Sequence, residues 1–290
     1  MLFRGVGRDW ISRIMLAHSQ NGLHFDIVPQ PVIQPLHSWE KWGCEDPRLV
    51  NLDGKYHVTY TAFDGVTARL ATSSSPNLLD WEGHHLVFHE NVSFPNREHS
   101  SGWHKAAAIF PEKIDGWYYM FFGDNHIWSA RSRDLKNWHP DFHPVLKPRP
   151  RHFDAAYIEM GPPPIKTDKG WLILYHGVNQ YSKRRIYRLG AALVSLDDPH
   201  HVIWRCHSPI LQPEAPYERI GYIDVIKGGF GVLRTLAIKD VKHMSRVHSL
   251  PRAVFCCGAI LEDGHVRLYY GAADTIICTA TIDLDFIFDH

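Results

Sequence analysis

The sequence has no excess of charge of either sign. Lysine and arginine together number 31, and so do aspartate and glutamate, so the formal net charge at neutral pH is zero. No long run of one charge interrupts this balance. Because nucleic acids and anionic membranes attract proteins with basic surfaces, the composition argues against either as the main partner.

Paired cysteines and long apolar segments are also missing. The five cysteines are an odd number and lack C-x-x-C spacing, so neither a disulfide framework nor a structural zinc site is expected. The 21 histidines form no metal-binding spacing either, and the pairs His84-His85 and His200-His201 predict solvated loops. With no signal-peptide core and no run of about 18 apolar residues, we expect a soluble, cytoplasmic protein.

A repeated unit of strands is what the sequence contains. A strand, a second strand rich in aromatic residues and a third ending near Ala-x-Ser recur five times along the chain. Asp-Gly or Lys-Gly dipeptides such as Asp115-Gly116 and Asp263-Gly264 separate apolar runs in four copies, which predicts hairpins. Units of roughly 45 to 80 residues with about four short strands are typical of propeller blades.

The fold class that follows is all-β, a five-bladed β-propeller occupying residues 1–290 as a single domain. A two-domain β-sandwich is the alternative, but it does not explain the same strand order five times. Two segments depart from the repeat. The proline-rich residues 139–156 predict a surface loop. Residues 228–250 have partial helical periodicity and a basic face, which predicts an inserted helix used for self-association, as in a homo-oligomer, or as a lid.

The most concentrated chemistry lies at residues 43–48, Gly-Cys-Glu-Asp-Pro-Arg, which lead into a strand pattern. Proline restricts the backbone after Asp46, and an acid held at the mouth of a sheet can act as a general acid when its surroundings raise its pKa. Regular alternation along a strand would direct Glu45 to the opposite face. A capped turn with a surface ion pair is the alternative interpretation of this segment.

Propeller geometry brings the scattered starts of the five units to one place. The innermost strands converge on a central channel, so residues near the start of each unit gather around a common pocket. The predicted members of this pocket are Arg4, Asp46, Arg48, Lys105, Glu159 and Asp274.

Six motifs in the same order along the chain resemble glycoside hydrolase family 130. They are residues 43–48, Ile-Phe-Pro-Glu-Lys at 109–113, Gly-Pro-Pro-Pro-Ile-Lys-Thr at 161–167, Gly-Trp-Leu-Ile-Leu-Tyr-His-Gly at 170–177, Pro-Tyr-Glu-Arg-Ile-Gly at 216–221 and Tyr-Gly-Ala-Ala-Asp at 270–274. The resemblance covers nearly the whole chain. It implies a five-bladed propeller that acts on β-mannosides, in a family of inverting phosphorylases that also contains hydrolases.

The resemblance also implies roles for individual residues. Asp46 matches the family's proton donor to the glycosidic oxygen, and Asp274 matches a ligand to hydroxyls of the mannosyl ring. Arg4 and Arg48 match residues that line the same subsite. His176 and Tyr187 match two of the groups that hold phosphate in the phosphorylases. No cofactor and no metal is implied.

The other residues that hold phosphate in the family's phosphorylases, two arginines and a lysine, are replaced in this sequence. Lys105 stands where the first arginine would be, Gly123 stands at the second, and Tyr157 stands at the lysine position. Because a dianionic phosphate needs several charge-assisted donors, these changes argue against phosphorolysis. Glu159 replaces a small residue and adds a carboxylate, which an inverting hydrolase uses to activate water.

The expected function is therefore inverting hydrolysis of terminal β-mannosyl residues from β-mannosides and manno-oligosaccharides. Asp46 would be the acid and Glu159 the base, with Glu218 as the competing base. Two alternatives remain. One is a β-mannoside phosphorylase that releases mannose 1-phosphate and binds inorganic phosphate through Lys105, His176 and Tyr187. The other is a non-catalytic propeller that binds carbohydrate or serves as a scaffold.

Overall fold

The structure is a computed structural model that describes residues 1–88, 92, 94, 102–181, 184–219 and 252–290. Within these ranges the regular structure is almost entirely β-strand, so the all-β prediction is confirmed. None of the helices in these ranges is both long enough and apolar enough to cross a membrane. The helix predicted at 228–250 lies outside the described residues.

Hydrogen bonds join the described strands into three sheets of seven, four and eight strands. Parallel pairings at Ser12 and Gly43 and at Tyr187 and Ala253 each link two antiparallel sets within a sheet. When the strands are divided at these two pairings, they form five successive groups in which neighbouring strands run antiparallel. Group 1 contains β1 (Leu2–Val6), β2 (Ser12–His18) and β3 (Asp26–Ile27), and group 2 contains β4 (Gly43–Leu52), β5 (Lys55–Phe63), β6 (Ala68–Ser75) and β7 (Glu82–Leu86). Group 3 contains β8 (Ala108–Ile109), β9 (Tyr118–Phe122), β10 (Ile127–Ser132) and β11 (His139–Leu146). Group 4 contains β12 (Tyr157–Met160), β13 (Ile165–Lys166), β14 (Trp171–Tyr181), β15 (Arg184–Val194) and β16 (Val202–Arg205), and group 5 contains β17 (Arg252–Glu262), β18 (His265–Ala272) and β19 (Ile276–Asp283). The helices are a 3-10 turn (Ser38–Glu40), α1 (Pro216–Arg219) and α2 (Leu284–Phe288).

Asp-Gly turns close several of the antiparallel pairs. Asp53-Gly54 joins β4 to β5, and Asp263-Gly264 joins β17 to β18. Both residues of each turn have positive φ, near +50° for aspartate and between 76° and 79° for glycine. Two successive positive φ angles define the hairpin turn whose twist matches that of the flanking strands. Asp115-Gly116 adopts the same conformation between bridged Ile114 and Trp117.

The proline-rich segment departs from its prediction. Residues 139–146 form β11 rather than a loop, and among the described strands β11 pairs only with β10. A strand at the edge of a sheet leaves one row of N–H groups unpaired, so Pro140 and Pro144 can be accommodated there. The prediction of a surface loop is therefore wrong for this half of the segment.

Contacts between groups follow one another around the molecule. β2 and β4 pair in parallel at Ser12 and Gly43, and β15 and β17 do so at Tyr187 and Ala253. Group 5 returns to group 1 where the Tyr269 hydroxyl donates to the Gly22 carbonyl at 3.0 Å.

The apolar core lies between neighbouring groups. Four clusters of buried side chains fill the spaces between groups 1 and 2, 2 and 3, 3 and 4, and 4 and 5. The largest buried rings, those of Trp128 and Trp171, sit in two of these clusters. Each group therefore packs against the next through an apolar cluster.

Candidate active site

A β-bulge in β4 positions Asp46. Glu45 pairs with Thr61 and Arg48 pairs with Thr59, so Asp46 and Pro47 together oppose a single residue of β5. The extra residue leaves Asp46 with a φ of 51°, in the left-handed region that non-glycine residues seldom adopt. Bulges redirect side chains, and Asp46 here lines a cleft of about 1760 Å³.

Arg4 in β1 connects two adjacent carboxylates. Its Nη2 lies 2.9 Å from Glu45 Oε1, and its Nη1 lies 3.8 Å from Asp46 Oδ1. The expectation that Glu45 faces away from Asp46 is wrong, because the bulge breaks the strand's alternation. Burial alone would lower the pKa of Arg4, but the carboxylates of Glu45, Asp46 and Asp274 outweigh it and raise that pKa.

Asp274, which lies near the C-terminal end of the chain, lines the same cleft as Asp46. It lies in the turn between β18 and β19, where Ala273 and Asp274 have φ angles of 44° and 55°. Burial raises the pKa of Asp274, and the nearby charge of Arg4 opposes that rise. Arg4, Asp46 and Asp274 thus share one electrostatic environment although they come from three different strand groups.

Arg48 contacts the protein backbone. Its guanidinium is buried and donates to the carbonyls of Asp46, Met160 and Gly161 at 2.7 to 2.9 Å. These bonds tie the bulge of β4 to the end of β12. The structure therefore places Arg48 behind Asp46, where it holds the backbone on which Asp46 stands.

Lys105 and Glu159 form a buried ion pair. Lys105 Nζ lies 3.1 Å from Glu159 Oε1, the lysine side chain keeps about a quarter of its exposure, and Glu159 is fully buried. The distance is that of an ion pair, but neither carboxyl oxygen of Glu159 has a hydrogen bond of good geometry within the described residues. Burial raises the pKa of Glu159, and Lys105 only partly offsets this.

His176 lies beside this pair on β14, opposite Glu159 in register. Its ring is fully buried and stacks on Phe255 with centroids 4.1 Å apart. The Cys256 amide donates to His176 Nε2 at 2.8 Å, so in the neutral ring the proton resides on Nδ1. Burial lowers the pKa of His176 well below its usual value, and Nδ1 has no hydrogen-bond partner among the described residues.

Tyr187 completes the buried group. Its hydroxyl lies 2.5 Å from that of Tyr157. Burial raises the pKa of Tyr187 well above its usual value, with Glu159 adding to the rise, so the phenol stays protonated. Tyr157, which the sequence resemblance aligns with a lysine, is a hydroxyl partner of Tyr187 and carries no positive charge.

Two residues at this site carried no signal in the sequence. Phe255 lines the cleft and covers the His176 ring, so the buried group adjoins the cleft wall. Cys257 is the extra residue of a bulge in β17 and also lines the cleft. Burial raises the pKa of the Cys257 thiol to about 12. A bulge depends on pairing with another strand, which the order of residues does not reveal.

Other candidates have structural partners elsewhere. Glu218 is buried in α1, where it accepts hydrogen bonds from the amides of Glu214 and Ala215 and from the Tyr270 hydroxyl, so both of its carboxyl oxygens face protein donors. His84, predicted in a solvated loop, is buried with Nδ1 2.8 Å from Glu40 Oε1, so that prediction is wrong. The described residues contain no cluster of three or more His, Cys, Asp or Glu side chains that could hold a metal ion.

Comparison with known proteins gives a consistent result. A family model described as β-1,4-mannooligosaccharide phosphorylase of glycoside hydrolase family 130 matches residues 1–234. A 1,2-β-oligomannan phosphorylase of Thermoanaerobacter sp. (strain X514) is 37% identical over 281 residues, covering 95% of this chain and 80% of that protein.

Solved structures match over nearly the whole chain. β-1,2-Mannobiose phosphorylase from Listeria innocua, in complex with β-1,2-mannobiose, has a TM-score of 0.76 at 31% identity and covers 96% of this chain and 69% of its own. A structure from work on glycoside hydrolases within this family, which target β-1,2 mannosidic linkages in Candida mannan, has a TM-score of 0.78 at 30% identity, covering 98% and 80%.

The similarity to named phosphorylases corrects the expectation of an inverting hydrolase. That expectation counted the cations missing from aligned positions and read Glu159 as a base for water. Glu159 is a carboxyl that burial keeps toward its neutral form, and His176 presents an N–H without a partner.

Proposed function

Since the chain belongs to glycoside hydrolase family 130, we propose that it is a phosphorylase that splits a terminal β-mannosidic bond with inorganic phosphate and releases mannose 1-phosphate. The observation that carries this proposal is the 37% identity to an oligomannan phosphorylase across 95% of the chain. The name of that relative specifies the 1,2 linkage. β-1,2-Linked mannosides are therefore the substrate class proposed first, ahead of β-1,4-linked ones.

The proposed scaffold is a single five-bladed β-propeller in which each of the five strand groups is one blade. The succession of contacts from group 1 to group 5, with Tyr269 returning to Gly22, supports a ring. The apolar clusters between neighbouring groups support face-to-face packing of blades. In such a ring the bulge of β4 and the turn holding Asp274 face one cavity.

In the proposed reaction, Asp46 donates a proton to the glycosidic oxygen, directly or through a sugar hydroxyl. Phosphate attacks the anomeric carbon from the opposite face, so one carbon–oxygen bond breaks and another forms with inversion. The attacking phosphate loses its own proton as it becomes an ester, and that proton restores Asp46. Asp274 and Arg4 bind hydroxyls of the mannosyl ring.

Three donors in the buried group are suited to phosphate oxygens. Lys105 supplies a positive charge and remains partly exposed, so an anion can reach it. His176 carries an N–H on Nδ1 without a partner in the described chain, and Tyr187 carries a hydroxyl. Charge-assisted bonds from such groups are about twice as strong as neutral ones.

The test compares product formation with and without inorganic phosphate. With β-1,2-mannobiose we expect mannose 1-phosphate only when phosphate is present, and we expect Asp46→Asn to lower kcat by about 10² to 10⁴-fold because the proton donor is lost. Asp80→Asn, a surface change of the same kind, should leave kcat unaltered. Chromatographic detection of both products decides the matter. Free mannose formed equally well without phosphate would overturn the proposal.

A further inference from the structure

Glu159 is the part of the proposed phosphate site that the reaction above does not use. It lies within ion-pair distance of Lys105, the cation that would bind the anion, yet it is fully buried and its oxygens accept no well-formed hydrogen bond in the described residues. A carboxylate in that place would compete with phosphate for Lys105 and repel it. A neutral carboxyl would instead donate a hydrogen bond to it.

The charges around Glu159 increase this conflict. The titratable groups around it come from seven parts of the fold: Lys105 before β8, Asp124 after β9, Asp46 and Arg48 on β4, Tyr157 on β12, His176 on β14, Tyr187 on β15 and Cys257 on β17. Of the cations, Arg48 already donates to three backbone carbonyls. Arg4 lies beside Asp46 at 3.8 Å. Lys105 interacts with Glu159, Asp124 and Asp46 before any phosphate enters.

We propose that Glu159 is protonated whenever phosphate is bound, so that the enzyme takes up phosphate together with one proton. This inference rests on the proposed phosphorylase function and names the group that controls its anion specificity. Protonation removes one negative charge, leaves Lys105 to pair with the phosphate, and turns the carboxyl into a hydrogen-bond donor. Gly123 and Tyr157 stand where the family pattern has cations, so removing the negative charge of Glu159 reduces the repulsion that phosphate meets there.

The direction of the pH dependence follows from burial. Burial raises the pKa of Glu159, so the neutral form persists to higher pH than for an exposed glutamate. Below that pKa, Glu159 is already protonated and phosphate binds without uptake of a further proton. Above it, Glu159 must take up a proton when phosphate binds, so the affinity for phosphate falls as pH rises.

The proton on Glu159 is not consumed by the reaction. Asp46 gives its proton to the leaving oxygen and is reset by the proton that phosphate loses. The proton on Glu159 stays in place through the exchange of carbon–oxygen bonds. It is released when mannose 1-phosphate leaves and the carboxylate returns to its ion pair with Lys105.

The first experiment measures kcat and the KM for phosphate between pH 5.5 and 8.5 for the native enzyme and for Glu159→Gln. The native KM should rise up to tenfold per pH unit above the pKa of Glu159, beyond the change caused by phosphate's own ionisation. Glutamine is a neutral donor of the same shape, so the variant should lose this extra rise. Glu82→Gln, which removes an exposed partner of Lys55 at 3.0 Å, is the matched control and should behave like the native enzyme.

The second experiment uses sulfate, a tetrahedral dianion that takes up no proton in this pH range. Sulfate should compete with phosphate more strongly as pH falls. Calorimetry in buffers of different ionisation enthalpy should detect uptake of about one proton per sulfate by the native enzyme above the pKa of Glu159. This measurement needs no variant, and Glu159→Gln should lose the uptake.

The outcomes separate the two proposals. Phosphate-dependent turnover with the same KM profile in the native enzyme and Glu159→Gln would overturn the role of Glu159 and leave the phosphorylase standing. A fall in kcat alone for Glu159→Gln, or sulfate that fails to compete or binds without proton uptake, would overturn it too. Turnover that ignores phosphate would overturn the function itself.

Discussion

Three buried glutamates differ because their neighbours differ. Glu40 accepts hydrogen bonds from the Leu36 amide, the Tyr60 hydroxyl and His84, and these outweigh the effect of burial and lower its pKa. Glu218 is likewise surrounded by donors. In the part of the chain that the structure describes, Glu159 forms an ion pair with Lys105 but accepts no well-formed hydrogen bond, and burial raises its pKa. A buried carboxyl with so few donors around it can change its protonation state when a ligand arrives.

Glu40 should matter for stability rather than catalysis. We expect Glu40→Gln to lower the free energy of unfolding by about 1.5 to 3 kcal/mol at pH 7, because hydrogen bonds to a charged acceptor are lost. The lowered pKa of Glu40 means that its contribution is present above the unfolded value of about 4.3 and disappears as pH falls through the folded value.

Urea unfolding of the native protein and of Glu40→Gln at pH 7 and pH 3.5 tests this prediction. The difference between the two proteins should shrink at the lower pH. Glu82→Gln, at an exposed ion pair, should change the free energy of unfolding by less than about 0.5 kcal/mol. An equal loss for both variants would contradict the role given to Glu40.

At the scale of the elements, close packing of a loop residue against β14 restricts which side chains this strand can carry. The Phe153 ring lies against Gly177 of β14 and Gly190 of β15, where an added Cβ would come within 2.4 and 2.6 Å of it. Neither glycine is needed for a turn. Both positions must be small because an aromatic side chain from the preceding loop covers the sheet there.

We expect Gly177→Ala to destabilise the protein by about 1 to 3 kcal/mol, since the ring or the strand must move to admit a methyl group. Gly271→Ala on β18 is the matched control, because the nearest atom to its new Cβ lies at 3.8 Å. That change should be neutral or slightly stabilising. Chemical unfolding of the two variants measures the difference, and similar values for both would contradict the packing argument.

At the scale of the whole molecule, the contact between the last and first strand groups is the one that the chain cannot make locally. Tyr269 lies 247 residues from Gly22 and donates its hydroxyl to that carbonyl, while its ring meets Phe25 edge-on at 5.8 Å. Other neighbouring groups follow one another in sequence. The Arg267 guanidinium also donates to the Asn21 carbonyl at 3.4 Å. These contacts join the ends of the series, so they bear directly on the proposed ring.

Tyr269→Phe should lower the free energy of unfolding by about 0.5 to 1.5 kcal/mol, the net value of one hydrogen bond. Tyr217→Phe, at an exposed tyrosine, removes a hydroxyl of the same kind and should have little effect. Thermal and urea unfolding of both variants provides the comparison. A loss no greater for Tyr269→Phe than for Tyr217→Phe would argue that the two groups do not depend on this bond.

Much of the local structure could be predicted from residues close in sequence. The turns at Asp115-Gly116 and Asp263-Gly264 follow from the ease with which aspartate and glycine adopt positive φ. The position of Glu45 could not be predicted, because a bulge is defined by the partner strand. The burial of His84 depends on Glu40, 44 residues away.

The sequence by itself determined the all-β class, the repeated hairpins and the family, because each depends on residue types in a particular order along the chain. Only the tertiary structure decided the chemistry of the site. In the folded chain Arg4 lies close to two carboxylates, and Arg48 donates hydrogen bonds to backbone carbonyls. Glu159 is buried beside Lys105. Protonation and hydrogen bonding depend on distance and burial in three dimensions, and these arise only when strands far apart in sequence pack together.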